Sequence, residues 1–482
     1  MSSTDELTPG LEHHEESAHP RGAVVALCLG GLVAALTQTL VIPIQSELPR
    51  LLGSTAVNTA WVVTVTLLAG AVAMPVAGRV ADLIGKRRVL LVSVGILVAG
   101  SVICALSSAL LPMLVGRAMQ GLAMGFIPVG ISLIREIVPP SMAGSSTAAM
   151  SATLGVGGAI GLPLSAWIVE KGNWHLLFWV SAAAAVVVLV LMAAFVPHVH
   201  DEESGRFDVP GMIGLAVGLI AFLVGISKAT TWGWGDPRTL GAIAFGFAVL
   251  LAWAFFELRQ AEPLVDLRAS ARMPVLMTNV AAVAIGFGMM AQSIVVPQLL
   301  ELPSATGYGL GQSVLAAGLW MAPAGLMMMV FAPVSGRMIS TLGARITLAV
   351  GATVLAAGYA VGFFLMGAPW QLLVASVVAS AGVGIGYAAM PTLILDNVPP
   401  REAGAAVGLN ALSRSVGTTL AAAIMGTVLT SKTVQMGGFA LPTQDAFKIC
   451  FVVGALAALL GAVLALGVPR QRKPVTEPVL TA

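Results

Sequence analysis

Gln38-Thr39-Leu40-Val41-Ile42-Pro43, followed by Glu47-Leu48-Pro49, returns later in the chain as Gln292-Ser293-Ile294-Val295-Val296-Pro297, followed by Glu301-Leu302-Pro303. Gly78-Arg79, Gly85 and Arg87 return as Gly336-Arg337, Gly343 and Arg345. Val138-Pro139-Pro140 with Ala143-Gly144 returns as Val398-Pro399-Pro400 with Ala403-Gly404. The offset is 254 residues between Gln38 and Gln292, 258 between Gly78 and Gly336, and 260 between Val138 and Val398. A nearly constant offset across separate segments points to two homologous halves. In a chain this apolar, related halves imply repeated helical bundles around a central site, the plan of a transporter.

Composition sets the class. Of 482 residues, 57 % are hydrophobic and 10 % charged, and mean hydropathy is +0.95. An ordinary soluble domain carries about 25 % charged residues, and a soluble chain of this length could not hide so much apolar surface. A bilayer core of about 30 Å takes about 20 apolar residues per helix. Loop punctuation then divides the chain into fourteen spans near 22–44, 57–78, 88–108, 111–134, 143–168, 174–196, 209–228, 238–257, 274–298, 312–335, 345–366, 369–392, 405–430 and 447–468. The runs lack the alternation of a barrel wall. The fold expected is an all-α membrane protein: two pseudo-symmetric six-helix bundles with an inserted two-helix hairpin.

The net charge of +2 says little, but its placement says more. Segments on one side hold clusters such as Arg79, Lys86, Arg87 and Arg88, or Arg259, Arg268 and Arg272, whereas the other side holds only Arg50, Lys171, Arg238, Lys432 and Lys448. Cationic loops stay on the cytoplasmic side, so both termini are expected there. Residues 1–20 lack a basic region ahead of an apolar stretch and do not read as a cleavable signal peptide. His13, His14 and His19 in that segment fit a disordered tail better than a metal site. Cys28, Cys104 and Cys450 fall within spans and read as small packing residues. The chain has no Gly-x-x-x-x-Gly-Lys-Ser/Thr string, no His-Glu-x-x-His and no Gly-x-Ser-x-Gly, so ATP hydrolysis and intramembrane enzymology have no support.

The repeat aligns spans 1–6 with spans 9–14. The expected division is a tail over 1–21, a six-helix bundle over 22–197, a linker and hairpin over 198–272, a second bundle over 273–468 and a tail over 469–482. Two linkers, His198–Asp208 and Glu257–Arg272, flank the hairpin, and Trp232-Gly233-Trp234-Gly235 caps it on the outer side. Those tryptophans read as interfacial anchors, with substrate contact the alternative.

Gly78-Arg79-Val80-Ala81-Asp82-Leu83-Ile84-Gly85-Lys86-Arg87-Arg88 resembles the loop 2–3 signature of the major facilitator superfamily. Arg117-Ala118-Met119-Gln120-Gly121 is similar to that superfamily's second motif. Gly157-Gly158-Ala159-Ile160-Gly161-Leu162-Pro163 resembles its antiporter motif, with the proline one place late. With fourteen spans, the resemblance is to the drug–proton antiporter branch, and it covers nearly the whole chain. It implies export of amphipathic small molecules such as antibiotics in exchange for protons, across a bacterial inner membrane. One departure stands out. That branch carries Asp-x-Thr-Ile-Val in span 1, whereas this chain has Thr37-Gln38-Thr39-Leu40-Val41, and no Asp or Glu falls in the middle of any span.

The resemblance implies that Asp82 caps the positive N-terminus of span 13 across the interface between halves, as a carboxylate at a helix start does. Gly78, Arg79, Gly85 and Arg87 would complete that gate, with a purely topogenic loop as the alternative. Ser340 stands where the second copy would need Asp82, so the two gates should differ in strength. Arg117 and the deeper Arg414 should face the protein interior, because a charge near a helix centre costs about 2.5–3.5 kcal/mol on insertion scales. With Gln38 and Gln292 they are the candidate cavity residues; tying helices together is the alternative role. A cavity holding both arginines would suit neutral or anionic amphiphiles over multiply cationic ones. Glu47 and Glu301 at the outer boundary, and Glu136 and Asp396 at the inner one, are the remaining proton-coupling candidates, or else solvated helix ends. Gly157 and Gly161 with Pro163 form a hinge or interface, or a plain packing groove. Met289, Met290 and Met327–Met329 would make an adaptable apolar wall or face lipid.

No cofactor, metal or nucleic acid is expected; the partners are the bilayer, an amphipathic substrate and protons, and the protein acts as a monomer. The alternatives are a carrier for one endogenous metabolite or lipid and, in another class, a non-transporting sensor or scaffold, against which the short tails argue. No ring of pore-lining charges suggests a channel.

Overall fold

In hydrocarbon every backbone N–H and C=O must find a partner within the chain, and a continuous helix provides one for each. The computed structural model describes residues 20–45, 47–170, 172–197, 207–436 and 439–469. Nearly all of the expected tails, with His13, His14 and His19, most of the linker His198–Asp208, and Lys171 lie outside the described residues. The described chain is built from fourteen long helices: α1 Pro20–Thr39, α2 Trp61–Ile84, α3 Lys86–Leu106, α4 Leu110–Ile137, α5 Pro140–Glu170, α6 His175–Phe195, α7 Val209–Trp232, α8 Pro237–Glu257, α9 Met273–Glu301, α10 Val314–Leu342, α11 Ala344–Phe364, α12 Pro369–Leu395, α13 Ala403–Ser431 and α14 Gln444–Gly467. A 3-10 turn at Ala123–Gly125 lies within α4, and α12 is interrupted between Gly386 and Ala389.

Each expected span coincides with one of these helices. The ends differ in both directions: α10 continues past the expected 335 through Arg337 and Ser340 to Leu342, whereas α1 stops at Thr39, short of the expected 44. Gly343 stops it, with φ of 86°, and Gly85 stops α2 at the matching position with φ of 97°. Only glycine takes that backbone without strain, so this repeated glycine fixes both tight inner turns. One element adds to the helical plan. Strands β1 Thr433–Met436 and β2 Phe439–Pro442 pair antiparallel between α13 and α14. Four-residue strands are too short to show a period-two pattern in sequence.

The halves repeat in three dimensions. In the first, α1 packs on α5 and α6, α3 on α4 and α6, and α2 on α4; in the second, α9 packs on α13 and α14, α11 on α12 and α14, and α10 on α12. Small contacts repeat too. Arg87 donates to the Ala193 carbonyl of α6, and its counterpart Arg345 donates to the Leu466 carbonyl of α14. The halves meet along two seams, α2 against α13 and α5 against α10. Each half has its own apolar core. Ala148 and Ala152 of α5 join the core of the second half, while Val275, Ile394 and Val407 join that of the first.

Helices α7 and α8 form the inserted hairpin. A Cβ added to Gly218 would meet Leu250 at 2.8 Å, and one added to Gly246 would meet the Phe222 backbone at 2.3 Å, so glycine lets these helices pack backbone to backbone. Helix α7 then covers the α2/α13 seam, with Leu215, Leu219 and Leu223 against Leu68, Ala71 and Leu412.

Candidate functional site

Below, the inner end means the end bearing Pro20 and Gly467. There the chemistry collects on the α2/α13 seam. The first N–H groups of a helix lack intrahelical acceptors and carry the positive end of its dipole. Asp82, 5 % exposed at the end of α2, answers both needs of α13. Its Oδ1 accepts from Gly404 N–H at 3.0 Å and its Oδ2 from Ala405 N–H at 2.9 Å. The approach depends on missing side chains: a Cβ on Gly404 would sit 2.6 Å from Asp82 Oδ1, and one on Gly78 would sit 2.2 Å from the Gly404 carbonyl oxygen.

An ionic chain extends this contact. Lys86, one turn beyond Asp82, holds its Nζ 3.8 Å from Asp82 Oδ1 and also bonds the Glu136 carboxylate at the end of α4. The next-door Arg135 crosses to the other half and binds Asp396 at 2.6 Å, after α12. The carboxylate on a helix terminus and the half-exposed ion pair therefore both bridge the halves at the inner end. Arg79 is half-buried on α2, and Arg87 binds α6 within its own half.

The second seam is made differently. Gly336 backs onto Ser145, where a Cβ would come 2.9 Å from Cα, and the exposed Ser340 bonds its own helix at Arg337. The α5/α10 seam thus closes by backbone contact without a carboxylate cap. Further along it, a Cβ on Gly155 would meet Met328 Sδ at 2.0 Å. Gly157 and Gly161 point elsewhere, against Ala35 and Thr39 of α1 within the first half. Helix α5 runs on past Pro163. Of the methionines, Met328 is buried in the seam, Met289 and Met290 back the second core, and Met329 is exposed.

Two guanidinium groups lie buried in the bundles. Arg117 is 1 % exposed. It donates to the Val62 carbonyl of α2 at 3.1 Å, to the Thr37 carbonyl of α1 at 2.7 Å and to Gln120 Oε1 at 2.7 Å; Gln120 in turn donates to Ser101 of α3. It therefore ties α1, α2 and α4 together. Thr37, standing where the resembling branch has a carboxylate, turns its hydroxyl back to the Ala34 carbonyl and offers Arg117 only its backbone oxygen. Arg414, 6 % exposed on α13, donates to Tyr387 Oη at 2.9 Å and Asn410 Oδ1 at 2.6 Å, with its guanidinium 4.5 Å from the Tyr387 ring centroid. Asn410 donates onward to Asn279 of α9. Among the described residues neither arginine pairs with a carboxylate; peptide, amide and phenol oxygens hold both, leaving their charge uncancelled.

The other candidates are scattered. Gln292 donates to the Ser376 carbonyl at 3.3 Å, and Gln38 is half-buried on α1. Glu47 is exposed and paired with Arg50 at 2.9 Å, and Glu301 ends α9 as an exposed side chain. Loop-charge reasoning passed over Lys228, which lies inside α7. It is 7 % exposed, with its ammonium 4.6 Å from the Trp61 ring centroid of α2. Nearby, Trp234 donates to Thr427 of α13 at 2.7 Å, so the outer tip of the hairpin touches both halves. Tyr387, Asn410 and Asn279 also escaped the sequence reading; polar residues inside apolar spans are the signal that could have found them.

A family model described as Major Facilitator Superfamily matches residues 27–421 and 278–480. An uncharacterized MFS-type transporter of Mycobacterium tuberculosis is 30 % identical over 414 residues, 83 % of this chain and 58 % of that protein, so the chain spans little more than half of this relative. The tetracenomycin C resistance and export protein of Streptomyces glaucescens is 28 % identical, covering 89 % of this chain and 80 % of that protein. Among solved structures, a human organic anion transporter superposes with a TM-score of 0.65 at 15 % identity, covering 92 % of this chain and 99 % of that one. A proton:xylose symporter superposes with a TM-score of 0.64 at 14 % identity, covering 92 % and 95 %. At such identities these two likenesses speak for the fold alone.

Proposed function

Because the chain belongs to the major facilitator superfamily, we propose that this multi-pass membrane transporter exports amphipathic small molecules, antibiotics among them, by alternating access and in exchange for protons. It works as a monomer in a bacterial inner membrane with both termini in the cytoplasm. The observation that carries the reading is the inner latch: Asp82 holding the first N–H groups of α13. The contact joins helices of different halves, so the inner end opens only when it breaks. Helices packed this closely have discrete arrangements rather than a continuum, which is what a two-state carrier requires.

The direction of transport and the breadth of substrate rest on relatives, one named for tetracenomycin C resistance and export and another, from Bacillus subtilis, as a multidrug transporter. Charge refines the substrate class. Two buried guanidinium groups without carboxylate partners disfavour a multiply cationic guest and favour neutral or anionic amphiphiles. Proton exchange acts through the latch. The candidates for carrying the proton at this end are Glu136 and Asp396, the ionic partners of Lys86 and Arg135 beside the latch. The test is export from a host stripped of its own efflux pumps, measured with unrelated cationic, neutral and anionic dyes and antibiotics. Efflux of several unrelated neutral or anionic compounds supports the reading. Movement of one compound class only would make the protein a dedicated metabolite or lipid carrier.

A further inference from the structure

The inner end of the inserted hairpin holds a second polar site, apart from the latch. Asp208 precedes α7 and caps it: its Oδ1 accepts from Gly211 N–H at 2.8 Å. Glu257 is the last residue of α8 and is 2 % exposed; its Oε1 accepts from Val265 N–H at 2.7 Å, in the loop that follows. One oxygen of each carboxyl is thus held by a backbone donor. The other two, Asp208 Oδ2 and Glu257 Oε2, are buried and have no donor among the described residues. They flank a single point: a Cβ built on Gly211 would lie 2.2 Å from Asp208 Oδ2 and 2.8 Å from Glu257 Oε2. Both oxygens therefore crowd the same spot beside Gly211.

Two carboxylate oxygens are both acceptors, and two like charges brought together in a buried site repel strongly. One proton resolves both problems, because a carboxylic acid donates to a carboxylate in a short, charge-assisted bond. The surrounding charges leave that role open. Arg268 donates to the Leu258 carbonyl at 2.6 Å, Asp266 caps the turn at Arg268 and Ala269, and Arg259 and Glu262 are exposed. On the helices beneath α7, Asp82 is bound to α13 and Lys86, Arg401 pairs with Glu402, and Arg79 is half-buried on α2. Arg206 lies outside the described residues. Of these charged groups, Asp208 is the one that shares the spot beside Gly211 with Glu257.

We propose that Asp208 and Glu257 hold one proton between them, making the inner end of the hairpin a proton-binding site. The site is defined by proton binding alone and stands whether or not transport is proton-coupled. Losing the proton would set two negative charges face to face between the start of α7 and the end of α8, and would push the hairpin open at that end.

The test is infrared difference spectroscopy of the full chain in lipid nanodiscs at neutral pH, reading the protonated-carboxyl band that shifts in heavy water. Glu257→Gln and Asp208→Asn keep the shape of each side chain, and Asn still caps a helix. Far-UV circular dichroism and gel filtration report their folding. The expected result is loss of the same band, one carboxyl's worth, in each single variant and no further loss in the double variant. Should a variant fail to fold, wild-type protein carrying carbon-13 glutamate serves instead, and part of the band must shift. An unchanged band, losses that add in the double variant, or a wild-type band abolished when sodium replaces choline in the buffer would each overturn the proposal, the last by assigning the site to a metal cation.

Discussion

Asp82→Asn is the substitution that reads the latch most cleanly. The amide keeps the size of the carboxylate but not its symmetry or charge. One oxygen still accepts from Gly404 or Ala405, and the amide nitrogen then faces the other N–H, donor against donor. A hydrogen bond to a charged group contributes about 1.5–3 kcal/mol and a neutral one about 1 kcal/mol, so exchanging two of the first for one of the second removes about 2–5 kcal/mol. The Lys86 pair, at 3.8 Å, adds little. Taking about 3 kcal/mol, at about 1.4 kcal/mol per factor of ten, the inner-closed population falls about a hundredfold relative to the inner-open one. The assay is pulsed electron–electron distance measurement between spin labels at Ser141→Cys and Ser340→Cys, both exposed at the inner ends of α5 and α10, in a background without Cys28, Cys104 and Cys450. The wild type should give one short distance. The variant should gain a longer component and lose transport while still reaching the membrane. A distance distribution identical to the wild type, with transport intact, would refute the reasoning.

Gly404→Ala should copy that phenotype, because its Cβ would press on Asp82 Oδ1 at 2.6 Å; normal transport by it would show that the seam yields. Arg117→Met removes three hydrogen bonds, two of which tie α4 to α1 and α2. At about 0.6 kcal/mol for a polar contact inside a membrane protein, it should lower stability by about 2 kcal/mol, checked by thermal unfolding in detergent. Thr37→Asp puts a carboxylate on the turn whose carbonyl already holds Arg117. It should shift selectivity toward cationic dyes by about tenfold, or about 1.4 kcal/mol, in competition assays. Gly85→Ala forces a side chain onto φ of 97° and should destabilise the α2–α3 turn by about 1–2 kcal/mol, read by the same thermal assay.

Membrane helices were legible in the sequence because each must be apolar over a bilayer's width, and that constraint is written residue by residue. The repeat was legible for a related reason: the inner turns need glycine at 85 and 343, and the arginines two residues later meet carbonyls at equivalent places in both halves. The resemblance carried by the short motif around Asp82 is what named it as the cap of α13. Contacts assembled from distant segments could not be read this way. Arg135 meets Asp396 across 261 positions, and Arg414 meets Tyr387 through a break in α12. Asp208 and Glu257 stand at the borders of two separate linkers in the sequence, and only the fold brings them together. The glycines of α5 showed the limit of pattern reading. Spacing marks close packing, but Gly155 serves the seam while Gly157 and Gly161 serve α1.

Transport itself is the most direct test of an exporter driven by exchange for protons. The protein should be reconstituted into sealed vesicles of known orientation, and a pH gradient imposed while cationic, neutral and anionic amphiphiles are followed. The account predicts that neutral or anionic compounds accumulate against their own gradient, that the accumulation collapses with a protonophore, and that Asp82→Asn vesicles show none of it. Accumulation indifferent to the pH gradient, or equal in the Asp82→Asn vesicles, would contradict it.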